Sequence, residues 1–294
     1  MECKVKIWGS RGSRAVPGRD TLVYGGNTAC VEVRFGQHQM IIDAGSGICE
    51  LMKDISFLGQ AKKADLFISH MHWDHILGLP FFKPLYQSDN VFCIHGVNGR
   101  SYDFESALRN VMRDPNFPIS FDDLKSRNII KTHEPGASFN LQDVWKEVTE
   151  GAYRTPDIRV DTMPNQHPNG GSFYKFSCDG RTVCYASDTE CAPEKPEFID
   201  SLVRFVQGVD LLIMDANYTR DEYEGRVGGF SKKGWGHACW EDCVMVAQRA
   251  DVKKLCLFHH DAARTDREQA LIEKAAQLKF GATIAAREGL ELVL

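Results

Sequence analysis

Three histidines and one aspartate lie within six residues, in the segment Ser69-His70-Met71-His72-Trp73-Asp74-His75. An apolar, strand-like run precedes them, so they fall where a buried strand ends in a polar loop, a frequent location of functional sites. His70 and His72 are two apart on extended chain and point the same way, so both imidazoles can bind one metal ion. Asp74 and His75 follow as the chain turns and can face a second ion. A surface loop that happens to contain histidines is the alternative, but clusters of this density are typical of metal sites.

The motif His-x-His-x-Asp-His after an apolar strand resembles the signature of the metallo-β-lactamase superfamily. Further histidines and aspartates follow in that family's order, namely His167, Asp188 and His259. His237, 22 residues before His259, resembles the phosphodiesterase branch that includes ribonuclease Z and the cyclic phosphodiesterase of phosphonate breakdown. The opening segments Gly9-Ser10-Arg11-Gly12-Ser13 and Gly25-Gly26-Asn27-Thr28 are similar to that branch as well. The resemblance covers essentially the whole chain.

The resemblance implies a dinuclear metal site with a defined set of ligands. Site one would consist of His70, His72, His167 and bridging Asp188, and site two of Asp74, His75, Asp188 and His259. Imidazoles and carboxylates without a thiolate suit two divalent ions, Zn²⁺ or Mn²⁺, with Fe²⁺ also compatible. Such a pair of ions can activate a bridging hydroxide for attack on phosphorus. His237 would stabilise the transition state or protonate the leaving alkoxide, and Asp74 would be catalytic as well as a ligand.

Each of the later residues also has a structural interpretation. His167 could cap a turn and Asp188 a helix, although their positions near strand ends favour ligands. Either His259 or His260 could be the last ligand, because adjacent strand residues point to opposite faces. The 22-residue interval favours His259, and His260 with Asp261 would then hold a ligand by hydrogen bond. Three histidines outside the motifs are interpreted as structural or solvated, namely His38, His95 and His133.

Aromatic and cationic residues alternate in the segment 218–235, directly before His237. Such a mixture can stack a base and hold a phosphate. A flexible, glycine-rich polar loop is an equally good interpretation, and such a loop could also act as a lid. The predicted substrate contacts are Trp73, Tyr218, Lys232 and Trp235.

Composition and charge exclude several classes of protein. The 294 residues are 43% hydrophobic and 26% charged, which is ordinary for a globular protein with a full-sized core. A formal net charge of −5 argues against strong nucleic-acid binding. No apolar stretch approaches the roughly 18–20 residues that span a bilayer, and no signal-peptide core follows Met1, so we expect a cytoplasmic protein. The ten cysteines form no C-x-x-C pair and are interpreted as reduced, buried thiols.

The order of elements predicts an α/β fold made of two packed sheets with helices outside them. With the family resemblance, this becomes an αββα four-layer sandwich with two mostly antiparallel or mixed sheets. Strands are predicted at 4–8, 28–35, 39–43, 65–69, 91–95, 158–163, 172–177, 182–186, 210–215, 253–258 and 290–294. Helices are predicted at 47–57, 103–112, 196–206, 240–250 and 266–278. We expect one domain over residues 1–294, with a candidate insertion at about 99–155.

The predicted function is a dinuclear-metal-dependent phosphodiesterase acting on a small nucleotide-like or cyclic phosphodiester. A transfer-RNA 3′-processing nuclease is an alternative, disfavoured by the acidic net charge and by a segment 101–160 that is not basic. A lactone or thioester hydrolase of the same fold, or a metal-binding protein without hydrolytic activity, are the others. The partner would be a small-molecule phosphodiester rather than a membrane, and related enzymes suggest a homodimer.

Overall fold

Apolar strands form two β-sheets in the computed structural model, which describes residues 1–54 and 62–294. The strands of the first sheet are β1 (Cys3–Gly9), β2 (Cys30–Phe35), β3 (His38–Ile42), β4 (Lys63–Phe67), β5 (Val91–Val97), β6 (Arg127–His133) and β14 (Glu291–Val293). Those of the second sheet are β7 (Ser138–Asn140), β8 (Arg159–Pro164), β9 (Ser172–Cys178), β10 (Arg181–Ala186), β11 (Leu211–Asp215), β12 (Leu255–Phe258) and β13 (Thr283–Ala285).

Both sheets are mixed, and their parallel strands end together. The first sheet has the order β14-β1-β2-β3-β4-β5-β6, and the second has the order β13-β12-β11-β10-β9-β8-β7. Strands β3 to β6 are parallel neighbours, as are β10 to β13. The last residue of β3, Ile42, pairs with Phe67 of β4, and Ala186 of β10 pairs with Met214 of β11. The loops that follow these strands therefore lie side by side.

Helices cover the outer faces of both sheets, which confirms the predicted αββα sandwich. They are α1 (Ile48–Leu51), α2 (Trp73–Ile76), α3 (Phe104–Val111), α4 (Leu141–Thr149), α5 (Pro196–Phe205), α6 (Arg220–Tyr223), α7 (Trp240–Arg249) and α8 (Asp266–Lys279). One apolar cluster fills the space between the sheets, where Val33 and Phe176 are buried. A second packs α5, α7 and α8 onto the second sheet, and a third packs α1 and α3 onto the first. All ten cysteines are free thiols, and all except the partly exposed Cys49 are buried as expected.

The largest differences from the sequence prediction concern the segment 99–155 and helix α1. The predicted helix 47–57 is helical only over Ile48–Leu51, and residues 55–61 lie outside the described chain. The segment treated as a candidate insertion contributes β6 to the first sheet and β7 to the second. It also contains the unpredicted helix α4, which buries Leu141, Trp145 and Val148. This spacing of i, i+4 and i+7 was the signal for the helix in the sequence.

A buried carboxylate links α4 to the first sheet. Asp65 accepts hydrogen bonds from His38 Nε2 at 2.6 Å, His95 Nε2 at 2.8 Å and Trp145 Nε1 at 2.9 Å. His133 lies 2.9 Å from His95. The three histidines that were interpreted as structural or solvated therefore belong to one largely buried network. Burial opposes the charge of Asp65, but its bonds to His38 and His95 outweigh it and lower the pKa of the carboxyl to about 2.

We expect Asp65→Asn to destabilise the fold by about 3 kcal/mol, because an amide cannot accept all three bonds and leaves buried donors unpaired. The lowered pKa means that the carboxylate stabilises the folded state above pH 3.8, and that this stabilisation is lost as pH falls through about 2. Urea unfolding at pH 7 measures the difference. Glu147→Gln, at an exposed ion pair with Lys131, is the control and should change stability little. Equal stability of Asp65→Asn and the unmodified protein would contradict this account.

Candidate metal centre

Most candidate metal ligands lie directly after parallel strands of the two sheets, with Asp74 and His75 in the short helix α2, whereas His167 follows the antiparallel strand β8. The segment that begins at His70 follows β4, and Asp188 follows β10. His259 directly follows β12. Asp188 and His259 have left-handed backbone conformations, with φ of 53° and 56°. This conformation is uncommon for residues other than glycine and is often found at functional sites.

Three imidazoles form the first group of potential ligand atoms. His70, His72 and His167 each offer a ring nitrogen within 4.8 Å of the others. His167 Nε2 lies 2.9 Å from His72 Nδ1, and Gly236 O accepts a hydrogen bond from His167 Nδ1 at 2.8 Å. His70 Nε2 is buried and has no hydrogen-bond partner among the described residues. Burial lowers the pKa of His167 to about 4 and that of His70 well below its usual value, so both imidazoles are neutral near pH 7 and can coordinate a metal.

The second group consists of Asp74, His75, Asp188 and His259, all buried. His75 Nε2 and His259 Nε2 are 3.3 Å apart, and Asp188 Oδ1 is 3.2 Å from each of them. The other oxygen, Asp188 Oδ2, faces the first group, at 3.6 Å from His70 Nε2 and 3.7 Å from His167 Nε2. The two oxygens of Asp188 thus face the two groups, as a bridging carboxylate requires.

The chemistry of these groups fits two divalent cations. Burial opposes protonation of His75, but Asp188, Asp74 and Asp43 outweigh it and raise its pKa well above the usual value. Three buried carboxylates around one imidazole show an excess of negative charge that cations would neutralise. Nitrogen and carboxylate oxygen atoms that converge in this way, with an unpartnered His70 Nε2, are the donor set that Zn²⁺ and Mn²⁺ accept.

Asp43 orients one side of the centre and was not recognised from the sequence as a site residue. Its Oδ2 accepts hydrogen bonds from His75 Nδ1 at 2.7 Å, Tyr185 OH at 2.7 Å and Ser69 Oγ at 2.8 Å. The bond to Nδ1 leaves Nε2 of His75 facing the centre, as is usual for a carboxylate behind a metal-binding histidine. The available signal was an aspartate directly after the apolar strand β3.

Asp215 has the corresponding role behind His237 and was also missed. Its Oδ2 lies 2.9 Å from His237 Nδ1 and accepts a bond from the Thr189 backbone N–H at 3.0 Å. The His237 ring stacks on His259 at 5.0 Å between centroids. Burial opposes protonation, but Asp215 raises the pKa of His237 to about 9. His237 lies in the loop before α7, which begins at Trp240 as predicted.

The N-terminal loop packs against the second group of candidate ligands. The Ser13 backbone N–H donates to Asp74 Oδ2 at 2.7 Å. Gly12 lies against His259, so closely that a Cβ atom there would be 2.5 Å from the imidazole ring. The buried Arg11 guanidinium anchors this loop to the backbone carbonyls of Gly25 and Arg264. The close approach of His259 leaves no room for a side chain at position 12, which explains the glycine there.

We expect Gly12→Ala to weaken metal binding by about tenfold, because the methyl group must displace the His259 ring. Competition with a chelator, followed by measurement of bound metal, tests this prediction. The matched control is Gly281→Ala. A methyl group at Gly281 would meet no atom within 4 Å, and its backbone φ is ordinary, whereas the positive φ of Gly180 would strain an alanine. Unchanged metal affinity in Gly12→Ala would show that His259 tolerates the displacement or is not a ligand.

His260 and Asp261 do not hold a candidate ligand through their side chains, contrary to the prediction. His260 Nε2 lies 2.8 Å from the carbonyl of Ala286, and Asp261 Oδ1 accepts a bond from the Ala263 backbone N–H. The physical reason is the turn at His259, after which the next side chain points away from the centre. The predicted role of holding a ligand belongs instead to Asp43.

A pocket of about 250 Å³ opens onto the centre. It is lined by Ser13, His72, Trp73, Asp74, Asp188 and His237. Of the predicted substrate contacts, Trp73 lines the pocket, and Trp235 is exposed two residues before His237 but is not part of the pocket lining. Lys232 Nζ lies over the rings of Tyr218 and Trp235, at 5.1 and 4.9 Å. Tyr218 is buried and packs edge-on against His237, so it supports the site rather than lining the pocket.

Comparison with known proteins places the chain in a family. Residues 38–260 match the family described as "Beta-lactamase superfamily domain". Ribonuclease Z of Haloferax volcanii is 23% identical over 266 residues, which cover 77% of each chain. The chain therefore belongs to the β-lactamase superfamily, as the sequence motifs predict, and with its metal-ligand clusters it is a metal-dependent hydrolase of the metallo-β-lactamase fold.

Solved structures show the same fold. The metallo-β-lactamase fold protein YhfI from Bacillus subtilis has a TM-score of 0.69 at 17% identity and covers all of both chains. A diphosphatase from the PhnP family has a TM-score of 0.66 at 16% identity, with 99% of this chain and 97% of the other covered. Zn²⁺-bound PqqB from Methylobacterium extorquens has a TM-score of 0.69 at 15% identity, with 99% and 100% covered. In the described part of the chain, no helix has the length and apolar character needed to cross a membrane.

Proposed function

We propose that this protein is a dinuclear-metal-dependent phosphodiesterase that hydrolyses a small nucleotide-like or cyclic phosphodiester. The observation that carries the proposal is His237, whose Nδ1 is bound to Asp215 while its side chain lines the same pocket as Asp188. The bond to Asp215 fixes the ring so that Nε2 is the nitrogen free to meet a substrate. A proton donor at this position suits an anionic diester whose departing alkoxide needs a proton.

The centre would hold two ions, Zn²⁺ or Mn²⁺ with Fe²⁺ also compatible, on seven residues. These are His70, His72, Asp74, His75, His167, Asp188 and His259. Bound ions would supply Lewis-acid activation of water and of a phosphoryl oxygen. The chain's own contribution is orientation, since Asp43 and Asp215 hold His75 and His237 in place from behind. Asp74, at the pocket wall, would act in catalysis as well as binding.

The pocket size supports a small substrate. A volume of about 250 Å³ accommodates part of a mononucleotide-sized molecule. The segment 101–160 carries eight basic and ten acidic residues, so it offers no basic arm for a long nucleic acid. A transfer-RNA 3′-processing nuclease remains the second candidate, because the relative from Haloferax volcanii is named ribonuclease Z.

Hydrolysis of bis(p-nitrophenyl) phosphate by metal-defined protein tests the proposal, with Mn²⁺ and Zn²⁺ compared. We expect metal-dependent release of nitrophenol. Absence of release with two ions demonstrably bound would contradict phosphodiester chemistry and favour a lactone or thioester substrate. Precursor transfer RNA and cyclic nucleotides, tested in parallel, distinguish the two phosphodiesterase candidates. A processing nuclease would cleave the precursor faster than the cyclic nucleotides, and a small-molecule phosphodiesterase would do the reverse.

A further inference from the structure

One exposed indole stands directly at the pocket over the metal centre. Trp73 lies between the candidate ligands His72 and Asp74 and lines the pocket with them. Its side chain is 62% exposed, whereas Asp74 and His75 after it are buried. Within residues 1–54 and 62–294, the indole makes no hydrogen bond and no ring contact. A large aromatic surface that is mostly exposed, at the mouth of a reactive site, is suited to contact a ligand.

A second aromatic surface belongs to the loop between β11 of the second sheet and His237. Phe230, Lys232 and Trp235, which we call the Trp235 wall, belong to the loop that precedes His237. The Phe230 and Trp235 rings are 5.7 Å apart, and Lys232 Nζ lies 4.9 Å from each ring centroid. Both rings are about half exposed, at 53% and 50%. The ammonium group thus holds the two rings together through cation–π contacts.

Trp73 and the Trp235 wall are connected to different sheets, so they would contact different parts of a bound substrate. Trp73 follows β4 of the first sheet, whereas the Trp235 wall follows β11 of the second and is one residue removed from His237. Gly236, between Trp235 and His237, accepts a hydrogen bond from the candidate ligand His167 through its carbonyl, and this bond fixes the end of the wall relative to the metal centre. His237 and Trp73 line the same pocket. Since His237 would deliver the proton to the departing oxygen, the departing group would lie beside His237, and the ester group that stays on phosphorus could extend to Trp73.

We propose that Trp73 stacks on the retained ester group and that this group is planar and aromatic, as a nucleobase is. This inference rests on the proposed phosphodiesterase function and narrows its substrate class. Stacking of a base on an aromatic side chain depends little on which base it is and strengthens binding by roughly tenfold or more. A diester whose retained group is a small alkyl chain has no planar face to offer and loses this contribution.

The test compares two esters with one departing group, phenyl p-nitrophenyl phosphate and methyl p-nitrophenyl phosphate. The measured quantity is the ratio of their kcat/KM values. We expect Trp73→Ala to lower the phenyl-to-methyl ratio by about tenfold, mainly through KM, and Trp73→Phe to restore most of it. Phe81→Ala is the matched control, because Phe81 is 56% exposed but packs against Phe117 and does not line the pocket. The control should leave the ratio unchanged.

Calorimetry gives a second measurement that does not depend on turnover. Diphenyl phosphate should bind the metal-loaded protein more tightly than dimethyl phosphate, and Trp73→Ala should remove the difference. A ratio that is the same in Trp73→Ala and the unmodified protein, while both esters are hydrolysed, overturns the assignment of Trp73 and leaves the phosphodiesterase proposal intact. Failure of the metal-loaded protein to hydrolyse either ester overturns both.

Discussion

Asp188→Ala should abolish activity and remove bound metal at the same time. The two oxygens of Asp188 face the two ligand groups, at 3.2 Å from His75 and His259 and at 3.6 Å from His70. Loss of this carboxylate removes a ligand from both groups and leaves buried imidazoles without a counter-charge. We expect hydrolysis of bis(p-nitrophenyl) phosphate to fall by roughly 10³ or more. Metal content by elemental analysis should fall from two ions per chain.

Two further variants make the interpretation specific. Asp188→Asn keeps the size of the side chain and one neutral oxygen ligand, so it should retain more metal than Asp188→Ala but less than the unmodified protein. Asp200→Ala changes an exposed aspartate that pairs with Arg249 on the surface, and it should affect neither metal nor activity. Two ions still bound at full affinity in Asp188→Ala would refute the bridging role.

His237→Ala should slow turnover while leaving both metal ions bound. His237 lines the pocket and bonds through Nδ1 to Asp215, so its removal takes away the proton donor without removing either of the two main ligand groups. The effect should depend on the departing group. An alkyl alkoxide needs a proton, so cleavage of a dinucleotide should slow by roughly 10²–10⁴. p-Nitrophenolate departs readily without a proton, so its release should slow much less.

Asp215→Asn tests the positioning of His237 with the imidazole still present. The amide can donate to Nδ1 and so favours a different tautomer and orientation. We expect the same dependence on the departing group as in His237→Ala, with a smaller loss in kcat and little change in KM. An equal slowing of dinucleotide and p-nitrophenyl ester cleavage in both variants would exclude proton donation and assign His237 to charge stabilisation or to metal binding.

Local sequence patterns predict much of the fold. Alternation and apolar runs locate most strands, because burial on a sheet face requires them. The prediction fails at short elements, such as α2 within the metal-binding segment and the three-residue strand β13, whose conformations depend on their neighbours rather than on their own periodicity. Helix α4 is not among the predicted helices, although Leu141 and Trp145 have the spacing of one apolar helix face. It is only nine residues long and lies between turns, so its apolar pattern is short.

The candidate ligands could be named from the sequence because their chemistry is dense and ordered along the chain. His70, His72, Asp74 and His75 share one loop, so their proximity needs little tertiary structure. The residues that orient these ligands could not be named from the sequence. Asp43 directly follows an apolar strand and Asp215 ends one, which is a common pattern, and neither has a chemical partner nearby in sequence. Their roles arise only when parallel strands place their carboxyl ends side by side.

The class of chemistry can be inferred from the amino-acid sequence, since three imidazoles and a carboxylate in six residues suit metal ions and little else. The layered α/β architecture follows from the periodicity of the strands and helices. Which side chains meet depends on the three-dimensional fold. It turned His260 away from the centre, buried Tyr218 beneath His237 and left Trp73 exposed at the pocket. The physical reason is that side-chain direction depends on backbone turns and on packing between distant strands, and neither is encoded in a local pattern.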